Sequence, residues 1–154
     1  MFQEAQEVLH EHRPQILFFC ETKITREPMI KKSNELSFPN CFTINRKGMG
    51  GGLAMLWSSE FIVEIKSYSC HHVHVVVHNE KRSYWICPGI YGHPESAQKQ
   101  HMWNLLRRLA TLSSLPWLYF RDFYEILNLN EKIGGNERQV SMITEFKEAL
   151  RECD

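Results

Sequence analysis

Two carboxylates stand at the ends of apolar stretches, and their placement is the strongest chemical signal in the chain. Glu21 follows the unbroken run Ile16-Leu17-Phe18-Phe19-Cys20, and Asp122 closes the stretch that begins at Trp117. A strand that ends in this way delivers the side chain to the mouth of a sheet, where two carboxylates can share a hard cation. Mg²⁺ takes oxygen ligands in a near-octahedral shell, keeps several waters, and is usually held by one or two carboxylates plus substrate phosphate. Carboxylates near strand ends also serve as ordinary solvating groups, and spacing alone leaves both readings open. A third segment, Gly89-Ile90-Tyr91-Gly92-His93-Pro94-Glu95, would bring a phenol and an imidazole to the same rim if its strand is a neighbour. Tyr91 could hydrogen-bond a phosphoryl oxygen and His93 could act as acid or base. Residue type alone favours a core role for Tyr91 and a turn for His93, which precedes Pro94.

The elements that must position these groups follow from periodicity. Phe2, Ala5, Val8 and Leu9 lie at helical spacing and the pattern stops before Pro14, which predicts a short amphipathic helix. Ile16 to Cys20 reads as a strand buried on both faces. From Thr22 to Asn40 the pattern is irregular and polar, with Pro28 and Pro39 as breakers, so a long loop with at most one helical turn is expected. Five strand patterns follow, over Cys41–Asn45, Gly50–Trp57, Phe61–Tyr68, Val73–Val77 and Tyr84–Ile90, and they predict an antiparallel run. Met102, Trp103, Leu105, Leu106, Leu109, Ala110 and Leu112 then mark a helix with a wide apolar face. A second buried strand is expected over Trp117–Phe120, a loop over Ile126–Gly135, and a closing helix from Val140 to Leu150, with Asn136 and Gln139 at capping-box spacing. Helices outside a β-rich core give an α+β layered domain.

Composition narrows the setting. The 154 residues, 43% hydrophobic and 23% charged, suffice for one globular domain with its own core. Eighteen basic residues balance eighteen acidic ones, so there is no global field to gather a polyanion, and any nucleic-acid contact must be local or metal-mediated. No apolar run approaches the roughly 20 residues that span a bilayer. Met1 opens directly onto a polar helical pattern, so no membrane partner and an intracellular location, nucleus or cytoplasm, are expected. Five scattered cysteines without a Cys-x-x-Cys pair read as reduced thiols.

Three other clusters read as structural. His72, His74 and His78 share one face of a period-2 strand opposite Val73, Val75 and Val77, where zinc is conceivable. A solvated strand face is the better reading, because no convergent fourth ligand is identifiable. Gly48, Gly50, Gly51 and Gly52 lack the Gly-Lys-Ser/Thr ending of a phosphate-binding loop and precede a strand, so they read as a flexible turn. Lys31-Lys32, Arg46-Lys47, Lys81-Arg82 and Arg107-Arg108 read as solvated surface.

Four stretches occur in one order: Ile16 to Lys23, Gly51-Gly52-Leu53-Ala54, Gly89 to Glu95, and Pro116 to Phe123, with Asn130-Glu131-Lys132-Ile133-Gly134-Gly135 downstream. Together they resemble the endonuclease/exonuclease/phosphatase superfamily, most closely the apurinic-endonuclease-like domain of plant non-LTR retrotransposons. The resemblance implies a four-layer α/β/β/α sandwich that hydrolyses phosphodiesters of DNA with Mg²⁺. It further implies that Glu21 binds the metal, that Tyr91 contacts the phosphate, and that Asp122 orients or activates the nucleophile.

The same comparison sets expectations about completeness. The family pattern begins with a Trp-Asn strand and ends with Asp and Ser-Asp-His motifs, and neither lies within 1–154. A single partial domain, truncated at both ends and inactive as a fragment, is therefore expected, with self-association through open sheet edges. The family's Gly-Asp-Phe-Asn is here Arg121-Asp122-Phe123-Tyr124. Losing one preorganised donor typically costs about 10²- to 10³-fold in rate, and losing general acid/base catalysis roughly 10²- to 10⁴-fold more. A non-catalytic nucleic-acid or protein-binding remnant, and a phosphatase for a soluble phosphate ester, are the alternative functions.

Overall fold

Successive strand side chains point to opposite faces, and this alternation sorts the chain into layers. In the computed structural model, which describes residues 2–45, 51–81, 83–135 and 138–153, Phe18 and Phe19 of strand β1 (Ile16–Cys20) enter different cores. Phe19 joins Ala54 and Leu56 of β3 (Leu53–Trp57) under helices α1 (Phe2–His12) and α2 (Arg26–Glu35). Phe18 faces the other way, with Leu53 and Met55, onto Val73, Val75 and Val77 of β5 (His72–Asn79). A third core lies beyond that second sheet. There Ile90 packs against Met102, Trp103 and Leu106 of α3 (Ser96–Ala110) and Phe146 and Ala149 of α4 (Val140–Arg151). The stacking is thus helices, sheet, sheet, helices, the α+β four-layer arrangement.

The first sheet has the order β1-β3-β2, with β2 spanning Asn40–Ile44, and is antiparallel throughout. The second runs β4 (Phe61–Ser69), β5, β7 (Gly89–Tyr91) and β8 (Phe120–Asp122), with β6 (Tyr84–Ile86) also on β5. The sequence pattern over 84–90 is two strands because Pro88 has no amide to continue the ladder. Its carbonyl still accepts from Phe120 N at 3.0 Å, which aligns β8. β7 and β8 are parallel, with Tyr91 opposite Asp122. Parallel pairing brings both strand ends to one rim.

Several expectations need correction. The segment 22–40 contains the ten-residue helix α2 instead of a loop. Pro28 is its third residue, in the first turn, where a missing N–H breaks no intrahelical bond. The buried face is only Met29 and Ser33, with the Ser33 hydroxyl donating to Phe38 O at 2.8 Å, so the apolar period was too narrow to read. The stretch expected to be a buried strand over 117–120 is shifted to Phe120–Asp122, with Trp117 bridging Ile86 and Leu118 58% exposed. It is an edge with one covered face. α4 is N-capped by Gln139 without a side-chain cap bond. Asn136 of the expected capping box, Gly48, Gly50, Arg46-Lys47 and Arg82 lie outside the described residues. No helix among the described residues is long and apolar enough to cross a membrane.

The histidine strand is the largest departure. His72 and His74 are buried, so β5 is covered on both faces. The His72 ring lies between the Ser69 hydroxyl, 2.8 Å from Nδ1, and the Ser67 hydroxyl, 3.1 Å from Nε2. Burial pulls the His72 imidazole down from 6.5 to about 4, with His74 and His71 adding repulsion. Burial also lowers His74, helped by the charge of Lys66. The folded state therefore favours neutral rings, and the unfolded chain binds more protons between the two pKa values. Stability should be full above pH 6.5, fall as pH drops toward 4, and stop responding to His72 below that. Urea denaturation across this range checks it: His72→Gln should shallow the slope, and an unchanged slope would contradict the assignment.

Candidate active site at the sheet rim

Glu21 is held by the backbone on both sides of it. Beyond β1 the chain stays latched to the segment before β3: Thr22 N donates to Gly52 O and Lys23 N to Gly51 O, each at 3.1 Å. Gly51 and Gly52 adopt φ of +76° and +91°, a region open to glycine. Glu21 itself sits at φ +50°. A non-glycine residue there costs about 1–2 kcal/mol, and such strain persists only where surrounding bonds enforce it. The result turns the carboxylate toward the second sheet.

Tyr91 meets it there. Its hydroxyl donates to Glu21 Oε1 at 2.5 Å, and Glu21 Oε2 lies 3.9 Å from Lys23 Nζ. The phenol is buried, with His71 stacked on one side and Tyr124 edge-on at 5.8 Å. Burial raises its pKa first, and the hydrogen bonds to Glu21 and Tyr124 raise it further. Tyr91 is therefore a permanent donor at any physiological pH.

Asp122 reaches the same rim through the parallel β7/β8 pair. Gly92 N donates to Asp122 O at 2.6 Å, and a Cβ on Gly92 would lie 2.5 Å from the Phe123 carbonyl oxygen. Only glycine permits so close an approach. Asp122 Oδ1 accepts from Tyr124 N at 3.3 Å. Both carboxylates act on Cys20, whose thiol is pushed up to about 12 by burial first and then by the charges of Asp122 and Glu21. Glu21, Tyr91 and Asp122, singled out from sequence, thus share one neighbourhood. His93 adjoins His71, with ring centroids 5.5 Å apart, and its Nδ1 accepts from Glu95 N at 3.2 Å, a turn role.

Sequence reasoning missed the group that fixes Tyr124. The Tyr124 phenol lies 3.4 Å from the Tyr91 hydroxyl, on a residue at φ +51°. Its carbonyl accepts from Lys99 Nζ at 2.5 Å and from Arg138 Nη2 at 3.0 Å. Lys99 and Arg138 also flank Glu125, at 2.7 Å and 3.0 Å. The Lys99 and Glu125 side chains are essentially inaccessible. One signal was present: Lys99 falls in register with Met102, Trp103 and Leu106 on the buried face of α3.

The donor set suits a hard cation. Of the bonds just described, Asp122 uses one carboxylate oxygen, the second oxygen of Glu21 carries only the 3.9 Å ion pair with Lys23, and all these ligand atoms are oxygen. Among the described residues no three His, Cys, Asp or Glu side chains group to hold a metal. The remaining ligands would be water and phosphate, which is how Mg²⁺ is usually bound. A cavity of about 400 Å³ opens beside this rim, lined in part by Asp122, Tyr124 and Glu125. A broader depression, along Gln6, Glu7, His10 and Glu11 of α1, is open surface without these groups.

Breaking the buried ion group should loosen the rim. Lys99→Met removes one of two cations on Glu125 and a donor to Tyr124 while Arg138 stays on both, and is expected to cost about 1.5–3 kcal/mol. Denaturant unfolding measures this directly, and a variant as stable as the parent would refute it.

No protein-family model matches the sequence, and no curated protein sequence does. Solved structures do match by shape. The human Nocturnin catalytic domain with bound sulfate aligns with a TM-score of 0.56 at 8% identity, over 77% of this chain and 55% of that one. TDP2 from D. rerio complexed with single-strand DNA product aligns at 0.51 and 17% identity, over 71% and 46%. A humanized D. rerio TDP2 aligns at 0.51 and 14% identity, over 71% and 47%. The chain therefore spans about half the length of the structures it matches. Nocturnin and TDP2 belong to the endonuclease/exonuclease/phosphatase superfamily, and the two-sheet, helix-covered fold described here is theirs.

Proposed function

We propose that this chain is a Mg²⁺-dependent phosphodiesterase domain of the endonuclease kind, derived from a retrotransposon, with DNA as substrate and activity near background as it stands. The observation that carries this reading is the Tyr91–Glu21 hydrogen bond of 2.5 Å, with Asp122 opposite Tyr91 in register. The fold likeness to TDP2, seen with a single-strand DNA product, supports a nucleic-acid substrate.

Glu21 and Asp122 would hold the cation, which when bound supplies charge stabilisation for phosphoryl oxygens and a more acidic water. Tyr91, kept protonated, turns its hydrogen bond from Glu21 to a phosphoryl oxygen and so orients the ester. Asp122 accepts a hydrogen bond from the attacking water and aligns it. Tyr124 is the weak point. Its phenol stands where the resemblance implies an amide, against Tyr91, and cannot supply the same preorganised donor. The opposing reading, a DNA-binding module without turnover, draws on the same Tyr91–Glu21 contact, which engages one carboxylate oxygen.

Nicking of abasic and intact plasmid, with and without Mg²⁺, separates the two. Slow Mg²⁺-dependent nicking is expected, with Glu21→Gln at background. Tyr124→Asn should raise the rate by about 10- to 10²-fold, and asparagine also tolerates the positive φ at this position. Equal cleavage by the parent and Glu21→Gln would sink the hydrolase reading, and retained DNA binding would then favour the module.

A further inference from the structure

Two imidazoles stand beside Tyr91 at the rim, and the proposed reaction uses neither. Extending the antiparallel pairing of His72 with Ile90 and Val73 with Gly89 by one step puts His71 opposite Tyr91. There Tyr91 N donates to His71 O at 2.8 Å, and the His71 ring lies within 9° of parallel to the phenol, with centroids 6.2 Å apart. His93 follows Tyr91 beyond the end of β7, and its ring is tilted by 46° against that of His71. Both residues are half-buried, and among the described residues each ring makes one hydrogen bond.

Those two bonds select opposite tautomers. The Tyr91 carbonyl only accepts, so His71 Nδ1, 3.3 Å away, carries the hydrogen and Nε2 is left as the basic atom. The Glu95 amide only donates, so His93 Nδ1, 3.2 Å away, is the bare nitrogen and its Nε2 carries the hydrogen. His93 Nε2 is therefore a donor in the neutral ring. His71 becomes a cationic donor when its Nε2 takes a proton, a change that imidazoles undergo in the physiological range. The titratable groups that meet the His71 ring are Tyr91 and His93, with Cys70 and His72 beside it in the chain. Glu21 lies beyond Tyr91, bound by that hydroxyl and 3.9 Å from Lys23 Nζ, so its charge is engaged before an anion arrives.

We propose that His71 and His93 bind a phosphate group beside Tyr91, each through Nε2, with His93 as a neutral donor and His71 as the cation. A phosphate dianion has acceptors for both, and charge-assisted bonds of this kind are short and strong. A metal ion needs a bare nitrogen from each ring, and His93 presents a hydrogen at its free one. The phosphate comes from one of two sources, the end of a nucleic-acid strand or the free ion. The assignment rests on the reading of Tyr91 as facing a phosphoryl group and deepens it, and it does not require hydrolysis.

Proton–nitrogen NMR of the imidazoles, on the whole chain in EDTA, tests it with inorganic phosphate, sulfate and a thymidine trinucleotide with and without a terminal phosphate. The His71 and His93 Nε2 signals should shift with phosphate, and His71→Asn and His93→Asn should each weaken binding about tenfold. Asparagine keeps the work of Nδ1 at each position, its Nδ2 donating to the Tyr91 carbonyl or its Oδ1 accepting from Glu95 N, so the thermal melt should hold. Sulfate keeps its charge across the range, and the parent should bind it about tenfold more tightly at about pH 6 than at about pH 8, a difference lost in His71→Asn. Tighter binding of the phosphorylated trinucleotide than of inorganic phosphate supports the site as one for strand ends, and equal binding supports it as one for the free ion. Titrations that leave both Nε2 signals in place, or asparagine variants that bind as the parent does, overturn the proposal. Because these titrations exclude metal, their failure is distinct from a failure of nicking, which reads Glu21.

Discussion

A hydrogen bond between side chains 70 residues apart, Tyr91 to Glu21, ties the first sheet to the second at the rim where their strands end. Face-to-face packing of Phe18, Leu53 and Met55 on Val73, Val75 and Val77 fixes the separation of the sheets, and a directional contact at the edge adds to what holds their register. The bond supplies that direction. It is part-buried and charge-assisted, and charge-assisted bonds are roughly twice as strong as neutral ones. The Glu21 backbone at φ +50°, the glycine latch at 51–52 and the close approach at Gly92 all serve to bring its two ends together. What the site could do chemically depends on that alignment, since a catalytic carboxylate and a phosphate donor must meet the same atom.

The buried group of Lys99, Glu125 and Arg138 performs a comparable task on the other side. Two cations around one carboxylate are costly to desolvate, and an apolar replacement is often as stable. Its use here is specific: it gives the Tyr124 carbonyl two donors and so holds a residue at φ +51° beside Asp122.

Much of this was legible in the residues themselves. The apolar run ending in Glu21, the wide stripe of α3 and the strand ending in Tyr91 each carry their period openly, and their order resembles a known superfamily closely enough to imply four layers. Other parts were hidden for identifiable reasons. The stripe of α2 is two residues wide and one of them is a serine, so no periodicity could announce it. His72 and His74 alternate with valines as a solvated face would, yet two serine hydroxyls of β4 accommodate His72 inside. Tyr124 acquires its place only through Lys99 and Arg138, which approach from elements 25 and 14 residues away in sequence. Pairwise long-range contacts of that sort leave no mark on local pattern.

The placement of the thiols has a practical side. Cys20 and Cys87 are both pushed up to about 12, by burial in each case and at Cys20 by two carboxylates as well, and burial raises Cys41 too. Cys153 is buried, and Cys70 alone of the five is exposed. Alkylating reagents need a thiolate, so they meet four guarded sulfurs and one open one. That open sulfur sits in the turn before His71, whose ring stacks on Tyr91. A single fluorophore or spin label on Cys70 would therefore report from the doorstep of the carboxylate pair, in the natural sequence and without engineering.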